Sequence, residues 1–462
     1  MSVRIIVVTG LNTGVYEYSN MGDVAMLQVG VRRLLTYWPS ARIDVITEDP
    51  HVLARYCPGA KPLSRASQDL WVGDNILVGR VSRFIPDLAV SRLSRMKREL
   101  GLRWPTVLRL LIRLKLSLRD RATANGEASA FLEAIEAADL LVVCGSGGFT
   151  DSCRDWNLSI LNTMEAAIQR GLPVALFGQG MGPLNDSDVL SRARTIFPTV
   201  TLFSLRGNRG GESLLQSLGV TASRIMITGD EAIELAYEAR SKDLGHGLGV
   251  NLRVAFYSEV DQRHVEVLKR VLQEFAQRYN APIIPLPIAF EPGTSDDPQT
   301  IRQLLAGFDD QCDGGLTLDT PLKIIEQAGH CRIVVTGAHH AAVFALSQGI
   351  PAVCLAKSSY YISKFLGLQE QFGQGCETVN LDDPHLRENL TEAVERAWQS
   401  AERVRLPLLH AAQRQIELSR RAYDQVREFV NCRRHTHKKR MADVQGNIRH
   451  DCAAERPVEE VR

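Results

Sequence analysis

The chain has 462 residues, too many for one ordinary hydrophobic core, so two or three domains are expected. Hydrophobic residues make up 45% of it and the formal net charge is +1, which provides for proper cores and argues against a nucleic-acid-binding chain. Its nine cysteines include no C-x-x-C pair, which argues against both a disulfide framework and a zinc site.

The opening residues, MSVRIIVVTG, hold an apolar run too short for a secretory signal, and no run of eighteen apolar residues follows, so a cytoplasmic protein is expected. Ile5–Val8 reads as a buried strand, and a helical period over Gly22–Tyr37 comes after it. Ile43–Ile46, Leu140–Val143, Val174–Phe177, Leu202–Leu205 and Ile225–Ile227 continue the series of short apolar runs between helical periods. Such continuous runs are strands covered on both faces, as in a parallel sheet. The polar stretch ARSKDLGHG (239–247) breaks the rhythm, and a second series starts at Leu248–Asn251. A helical period over Val260–Tyr279, strands at Pro282–Leu286, Ile333–Val335 and Ala352–Leu355, and a helix over Asp383–Val430 complete it. The expected fold is α/β, with two Rossmann-like doubly wound domains, residues 1–240 and 247–430, facing a cleft. Residues 431–462 are charged, nearly free of aromatics, and read as a disordered tail.

One segment departs from the pattern. A basic helical insertion occupies about residues 90–125, where Arg92–Arg121 holds ten Lys/Arg against two acids. It reads either as a helix with a solvated basic face or as a surface for anionic lipid, which would place the protein at the inner face of the membrane.

Ligands of such sheets bind beyond the carboxyl ends of the strands, so the strand-to-helix turns are the places to look for chemistry. Thr9-Gly10 follows the first strand, and Asn20 and Asp23 next to it read as helix caps or as ligands. Leu140–Val143 runs into Cys144-Gly145-Ser146-Gly147-Gly148-Phe149-Thr150-Asp151. Its glycines clear side chains away and let backbone N–H groups face an anion. The spacing is neither a Walker A loop nor a dinucleotide fingerprint, and from the residues alone Asp151 reads as a cap before it reads as an acceptor for a sugar hydroxyl. Phe177-Gly178-Gln179-Gly180 ends the next strand, and Arg206 and Arg209 follow Leu202–Leu205. A guanidinium there suits a carboxylate or phosphate, though a surface arginine would look the same. Arg253 holds the corresponding place in the second half, and Thr336-Gly337-Ala338 leads into His339-His340 and an Ala-rich helix. A helix N-terminus disfavours a cationic histidine until an anion arrives, which fits a group that changes protonation as phosphate is released; a capping or packing role is the alternative.

In order, Asn20-Met21-Gly22-Asp23, Gly145-Ser146-Gly147-Gly148, Gly178-Gln179-Gly180-Met181-Gly182-Pro183, Leu205-Arg206, Thr228-Gly229-Asp230, Asn251-Leu252-Arg253, the histidine turn, Gln348-Gly349-Ile350-Pro351 and Tyr360-Tyr361-Ile362-Ser363-Lys364 form a recurring set. Over roughly residues 5–380 this set resembles the polysaccharide pyruvyl transferase family. The resemblance implies a GT-B-like fold and transfer of pyruvate from phosphoenolpyruvate to a sugar hydroxyl pair as a ketal, in exopolysaccharide or cell-surface glycan biosynthesis. It places the family's essential histidine on His340 and its donor-pocket neighbour on His339. Two departures matter: Ala338 where many members carry Arg-x-His, and Ser146 where a third consecutive glycine is common. The missing cation would have to come from Arg206, Arg209 or Arg253.

The expected catalytic residues are His340 and Asp151. Donor binding falls to Arg206, Arg253, His339, Gly145, Gly147, Gly148, Gln179 and Gly180, and the acceptor side to Asn20 and Asp23, with Asp23 the second candidate for taking the acceptor's proton. No metal or cofactor is implied beyond phosphoenolpyruvate as co-substrate. The expected partner is a saccharide, lipid-linked if the basic insertion meets membrane; a homo-oligomer stays open. The alternatives are a GT-B glycosyltransferase using a nucleotide sugar, and a non-catalytic member of the fold.

Overall fold

The computed structural model describes residues 2–10, 17–72, 96, 107 and 124–451, so the basic segment 92–121 lies outside the described residues but for two positions. Seven strands form one parallel sheet: β1 (Arg4–Val8), β2 (Arg42–Thr47), β3 (Lys61–Ser64), β4 (Leu140–Val143), β5 (Val174–Gln179), β6 (Leu202–Leu205) and β7 (Ile225–Ile227). Their order is β3-β2-β1-β4-β5-β6-β7. Every residue of β4 and β5 is buried, as a strand with helices on both faces requires. A second parallel sheet follows, made of β8 (Gly247–Asn251), β9 (Ile283–Pro285), β12 (Cys331–Thr336), β13 (Ala352–Ala356) and β14 (Cys376–Asn380). Its order is β14-β13-β12-β8-β9, and a small antiparallel pair, β10 (Phe290–Glu291) with β11 (Ser295–Asp296), stands beside it.

In each sheet the chain order reverses at one place, between β1 and β4 in the first and between β8 and β12 in the second. A crevice opens at such a reversal because the connections leave it in opposite directions. The turns after β1, β4, β8 and β12 carry Gly10, Gly145–Gly148, Arg253 and the histidine pair. The topology therefore gathers the glycine-cleared turns and the histidines to one place.

Two hydrophobic clusters cover the outer faces of the two sheets, and a third is shared by both domains. The shared cluster joins Met26 and Leu34 of the helix Met21–Tyr37, Ile233 and Ala236 of the helix Ala232–Glu238, and Val343, Phe344 and Leu346 of the helix His339–Ser347. All nine residues of that last helix are buried, which its lack of polar residues beyond the histidines and Ser347 permits.

The last helix, Leu386–Asp451, starts on the second domain with Leu390 and Val394 and crosses onto the first. There Tyr423 stacks on Phe177 with ring centroids 3.8 Å apart and donates a hydrogen bond of 2.8 Å to Glu231. Arg33 of the first domain holds Glu231 at 3.0 Å and also bonds Ser419. Assigning this helix to the second domain is therefore only half right. Residues 431–451, expected as part of a disordered tail, have helical backbone: their Lys, Arg, Ala, Met and Gln residues favour helix. Among the described residues no helix is long and apolar enough to cross a membrane.

Candidate functional site

The turns at the two reversals enclose a cleft of about 470 Å³ between the domains. From the first domain it is lined by Asn20, Asp23, Gly147, Gly148 and Arg206, and from the second by Arg253, His339, His340, Tyr360 and Lys364.

Asn20 starts the helix Met21–Tyr37: its backbone is extended and its side-chain oxygen accepts the N–H groups of Gly22 (3.1 Å) and Asp23 (3.4 Å). The same segment is stitched to the second domain, with the Met21 N–H donating to the Ile288 carbonyl at 2.8 Å. Gly22 then faces His340, where a Cβ would lie 1.9 Å from the imidazole. Only glycine allows the helix start and the histidine to approach this closely. Gly22→Ala should cost about 1–3 kcal/mol of stability through overpacking. By displacing the ring it should also lower turnover roughly a hundredfold. Thermal melts and kcat test this, and wild-type values for both would show that the contact is not formed.

At the start of the helix His339–Ser347, Thr336 accepts the Ala338 N–H at 2.9 Å, while among the described residues no side chain caps the helix itself. The first-turn N–H groups thus stay open toward an anion. Beside them lies Asp230, in the turn after β7. Its Oδ2 is 3.5 Å from His340 Nε2, 3.6 Å from His339 Nε2 and 3.4 Å from Arg206 Nη1, and its Oδ1 accepts the Ala232 N–H at 2.9 Å. Burial alone would raise this carboxyl, but His340, His339 and Arg206 together hold it well below the usual carboxylate range. Burial, with Arg206 close by, pulls the His339 imidazole well below the ordinary histidine range despite Asp230. Both ring nitrogens of His339 and Nε2 of His340 lack a well-formed hydrogen bond within the described residues.

Two cations face the same space. Arg206 is 6% exposed, and the Lys364 ammonium sits 4.0 Å above the Tyr360 ring. Burial and the nearby Arg206 charge pull the Lys364 ammonium well below the ordinary lysine range. A Cβ on Gly147 would lie 2.5 Å from Arg206 Nη2 and 2.9 Å from both Lys364 Nζ and the Tyr360 hydroxyl. That glycine is what lets the two cations close in on the loop, and Tyr360 ties them by donating to the Gly147 carbonyl at 2.9 Å. Burial raises the Asp23 carboxyl against the pull of His340, Arg206 and Lys364.

Of the residues expected from sequence, Asn20, Asp23, Gly147, Gly148, Arg206, Arg253, His339 and His340 line the cleft. Gly180 lines a small adjoining pocket of about 50 Å³ and packs on Arg206. Arg253 is engaged already: it pairs with Asp297 through Nε (2.8 Å) and Nη2 (2.9 Å) and shares Nη1 with the Tyr257 hydroxyl at 3.2 Å. It braces the wall more than it offers a free cation. Three expectations are not met by the geometry. Gly145 packs under Met26 and does not line the cleft. Gln179 is wholly buried and its amide donates to the Cys144 carbonyl at 2.8 Å, tying β5 to β4. Asp151 is exposed, and its carboxylate accepts the N–H groups of Asn185 (2.7 Å) and Asp186 (2.9 Å) and the Asn185 amide (3.0 Å). It braces a turn and does not line the cleft.

The structure adds Asp230, Tyr360 and Lys364. The last two lie on the helix Ser359–Phe372, whose residues 360, 364 and 367–368 recur at helical spacing along the adjoining pocket, with Tyr360 and Lys364 reaching the cleft as well. Ala338 is fully buried in the shared core and does not line the cleft.

A sequence profile of the polysaccharide pyruvyl transferase family matches residues 20–359. No curated protein matches the sequence. Among solved structures, a Listeria monocytogenes protein provisionally assigned as a UDP-N-acetylglucosamine 2-epimerase is similar, with 10% identity over 93% of this chain and 97% of that one and a TM-score of 0.54. The UDP-GlcNAc 2-epimerase of Neisseria meningitidis, bound to UDP-GlcNAc, shares 12% identity over 90% of this chain and 99% of its own, with a TM-score of 0.51. The corresponding epimerase of Methanocaldococcus jannaschii gives 12%, 91%, 99% and 0.50. At such identities the likeness is one of fold: α/β of the GT-B type, as expected from sequence. Because the profile runs over most of the chain, from the cap of the first helix through the glycine turn, Arg206 and the histidine pair, the chain belongs to the polysaccharide pyruvyl transferase family.

Proposed function

We propose that this transferase moves pyruvate from phosphoenolpyruvate to two hydroxyls of a saccharide, closing a cyclic ketal and releasing phosphate. The supporting observation is the convergence of Arg206, Lys364 and the uncapped start of the histidine helix on one cleft beside His340. Phosphoenolpyruvate carries a carboxylate and a phosphate, and fixed cations with backbone donors match both. His340 gives a proton to the methylene carbon, which makes the central carbon electrophilic. One acceptor hydroxyl attacks that carbon and passes its proton to Asp23, whose raised carboxyl suits proton uptake. The bond to the phosphate oxygen breaks, and the second hydroxyl attacks to close the ketal. Of the two hydroxyl protons, one makes good that in the new methyl group and the other leaves on phosphate. In this reading the acceptor is a saccharide of exopolysaccharide or cell-surface glycan biosynthesis, and Arg206 with Lys364 supplies the cations that Ala338 does not.

The test is release of phosphate from phosphoenolpyruvate across a panel of oligosaccharides, with mass detection of the ketal. Saccharide-dependent release supports the reading. Stabilisation and turnover of nucleotide sugars, with none of phosphoenolpyruvate, would replace it with glycosyl transfer.

Lys364 gives a more specific expectation. Lys364→Met should raise the KM for phosphoenolpyruvate roughly tenfold to a hundredfold with a smaller effect on kcat, since a charge-assisted contact to the donor is lost. The charged amine binds the anion, so affinity should fall as pH rises through its lowered pKa. Calorimetric titrations with phosphoenolpyruvate carried up to the ordinary lysine value of about 10.4 should show that alkaline limb in the wild type and its flattening in the variant.

A further inference from the structure

Phe256 is 79% exposed, yet it lines the cleft beside Glu291 and Thr294. Its exposure is built rather than incidental. The turn that carries it is closed by buried Ser258, whose hydroxyl receives the Ala255 N–H at 3.0 Å and lies 2.9 Å from the Arg253 carbonyl. Glu259 follows in the left-handed region at φ 60°. The Phe256 ring meets Tyr257 edge to face, with centroids 5.2 Å apart and planes at 81°. Tyr257 is itself held by Arg253 and by stacking on Tyr361, with centroids 6.2 Å apart and planes at 12°. The ring is thus presented at the cleft mouth by a turn fixed on several sides, which lowers the ordering cost of using it.

We infer that Phe256 is the stacking platform for the acceptor: one pyranose ring of the saccharide lays its C–H face on the aromatic ring while its hydroxyls turn toward the polar wall of the cleft. The inference rests on the pyruvyl-transfer reading and adds where the acceptor sits. Phosphoenolpyruvate, small and doubly anionic, has no apolar face that would use the ring. A pyranose has one apolar face and a rim of hydroxyls, and the cleft mouth offers an apolar plane beside a polar wall.

The experiment applies the full-length protein, with phosphoenolpyruvate present, to an array of oligosaccharides that also carries UDP-N-acetylglucosamine, and compares wild type, Phe256→Ala and Phe256→Trp. Binding should be seen for the wild type, fall at least about tenfold in Phe256→Ala and persist in Phe256→Trp. Thermal stabilisation by phosphoenolpyruvate should be the same in all three. Unchanged saccharide binding in Phe256→Ala, or none by the wild type on any saccharide, overturns the inference. So does a loss confined to UDP-N-acetylglucosamine, which would give the platform to a nucleotide base. Absence of stabilisation by phosphoenolpyruvate fails the transfer reading instead, and a saccharide signal that depends on Phe256 would still stand.

Discussion

His340→Ala is expected to lower turnover of phosphoenolpyruvate by about three orders of magnitude while the protein stays folded. The residue is 5% exposed at the junction of the helix starts of the two domains, and the groups that would hold the donor, Arg206 and Lys364, come from other elements. Donor binding should therefore persist, and the loss should fall on kcat with little change in KM. A histidine that merely shaped the pocket would show the reverse split. His340→Gln serves as the companion that keeps most of the side-chain volume against Gly22 without a group able to exchange the proton. Circular dichroism and melting curves establish the fold, and phosphate release gives kcat and KM. Near wild-type turnover in either variant would remove His340 from the chemistry.

The fold was largely legible because its strands are buried on both faces. Continuous apolar runs such as Leu140–Val143 and Ile333–Val335 admit few other readings, and the two series of them imply two sheets. Two of the four edge strands escaped for the complementary reason: β3 is Lys-Pro-Leu-Ser and mostly exposed, and β14, Cys-Glu-Thr-Val-Asn, is only partly buried. A helical period does not reveal which surface it covers, so the crossing of the last helix to the first domain was invisible. The site divides along similar lines. Glycines and arginines at strand ends were visible as candidates because in such sheets ligands bind there, but the sequence does not tell a loosely paired cation such as Arg206 from a brace such as Arg253. Asp230 was in view in its Thr-Gly-Asp turn, but a carboxylate after a strand is indistinguishable from a cap, and its Oδ1 is indeed one. Gln179 misled because a strand-end position does not say which way a side chain turns. Lys364 was in view in the Tyr360–Lys364 piece, but its spacing with Tyr360 shows a shared helix face without showing what that face meets.

Asp230→Asn is expected to have the other large effect, and to separate electrostatic support from donor binding. The carboxylate is 3% exposed, within 3.6 Å of two imidazoles and a guanidinium. Removing the charge leaves Arg206 buried without its counter-ion, a loss of about 3 kcal/mol for a broken buried pair. The folded-state carboxyl lies below its unfolded value of about 3.9, so its contribution is fully present above that value and is lost as pH falls through the folded one. The melting difference between wild type and variant should therefore be constant from neutrality to about pH 5 and shrink below about pH 4. Turnover should fall roughly a thousandfold, because His340 loses the carboxylate 3.5 Å from its Nε2. Affinity for phosphoenolpyruvate should hold or tighten, since a negative charge has left an anion site. If affinity instead collapses along with kcat, Asp230 acts by orienting Arg206 toward the donor, and the support of His340 must come from Asp23, the other carboxylate whose charge is coupled to it.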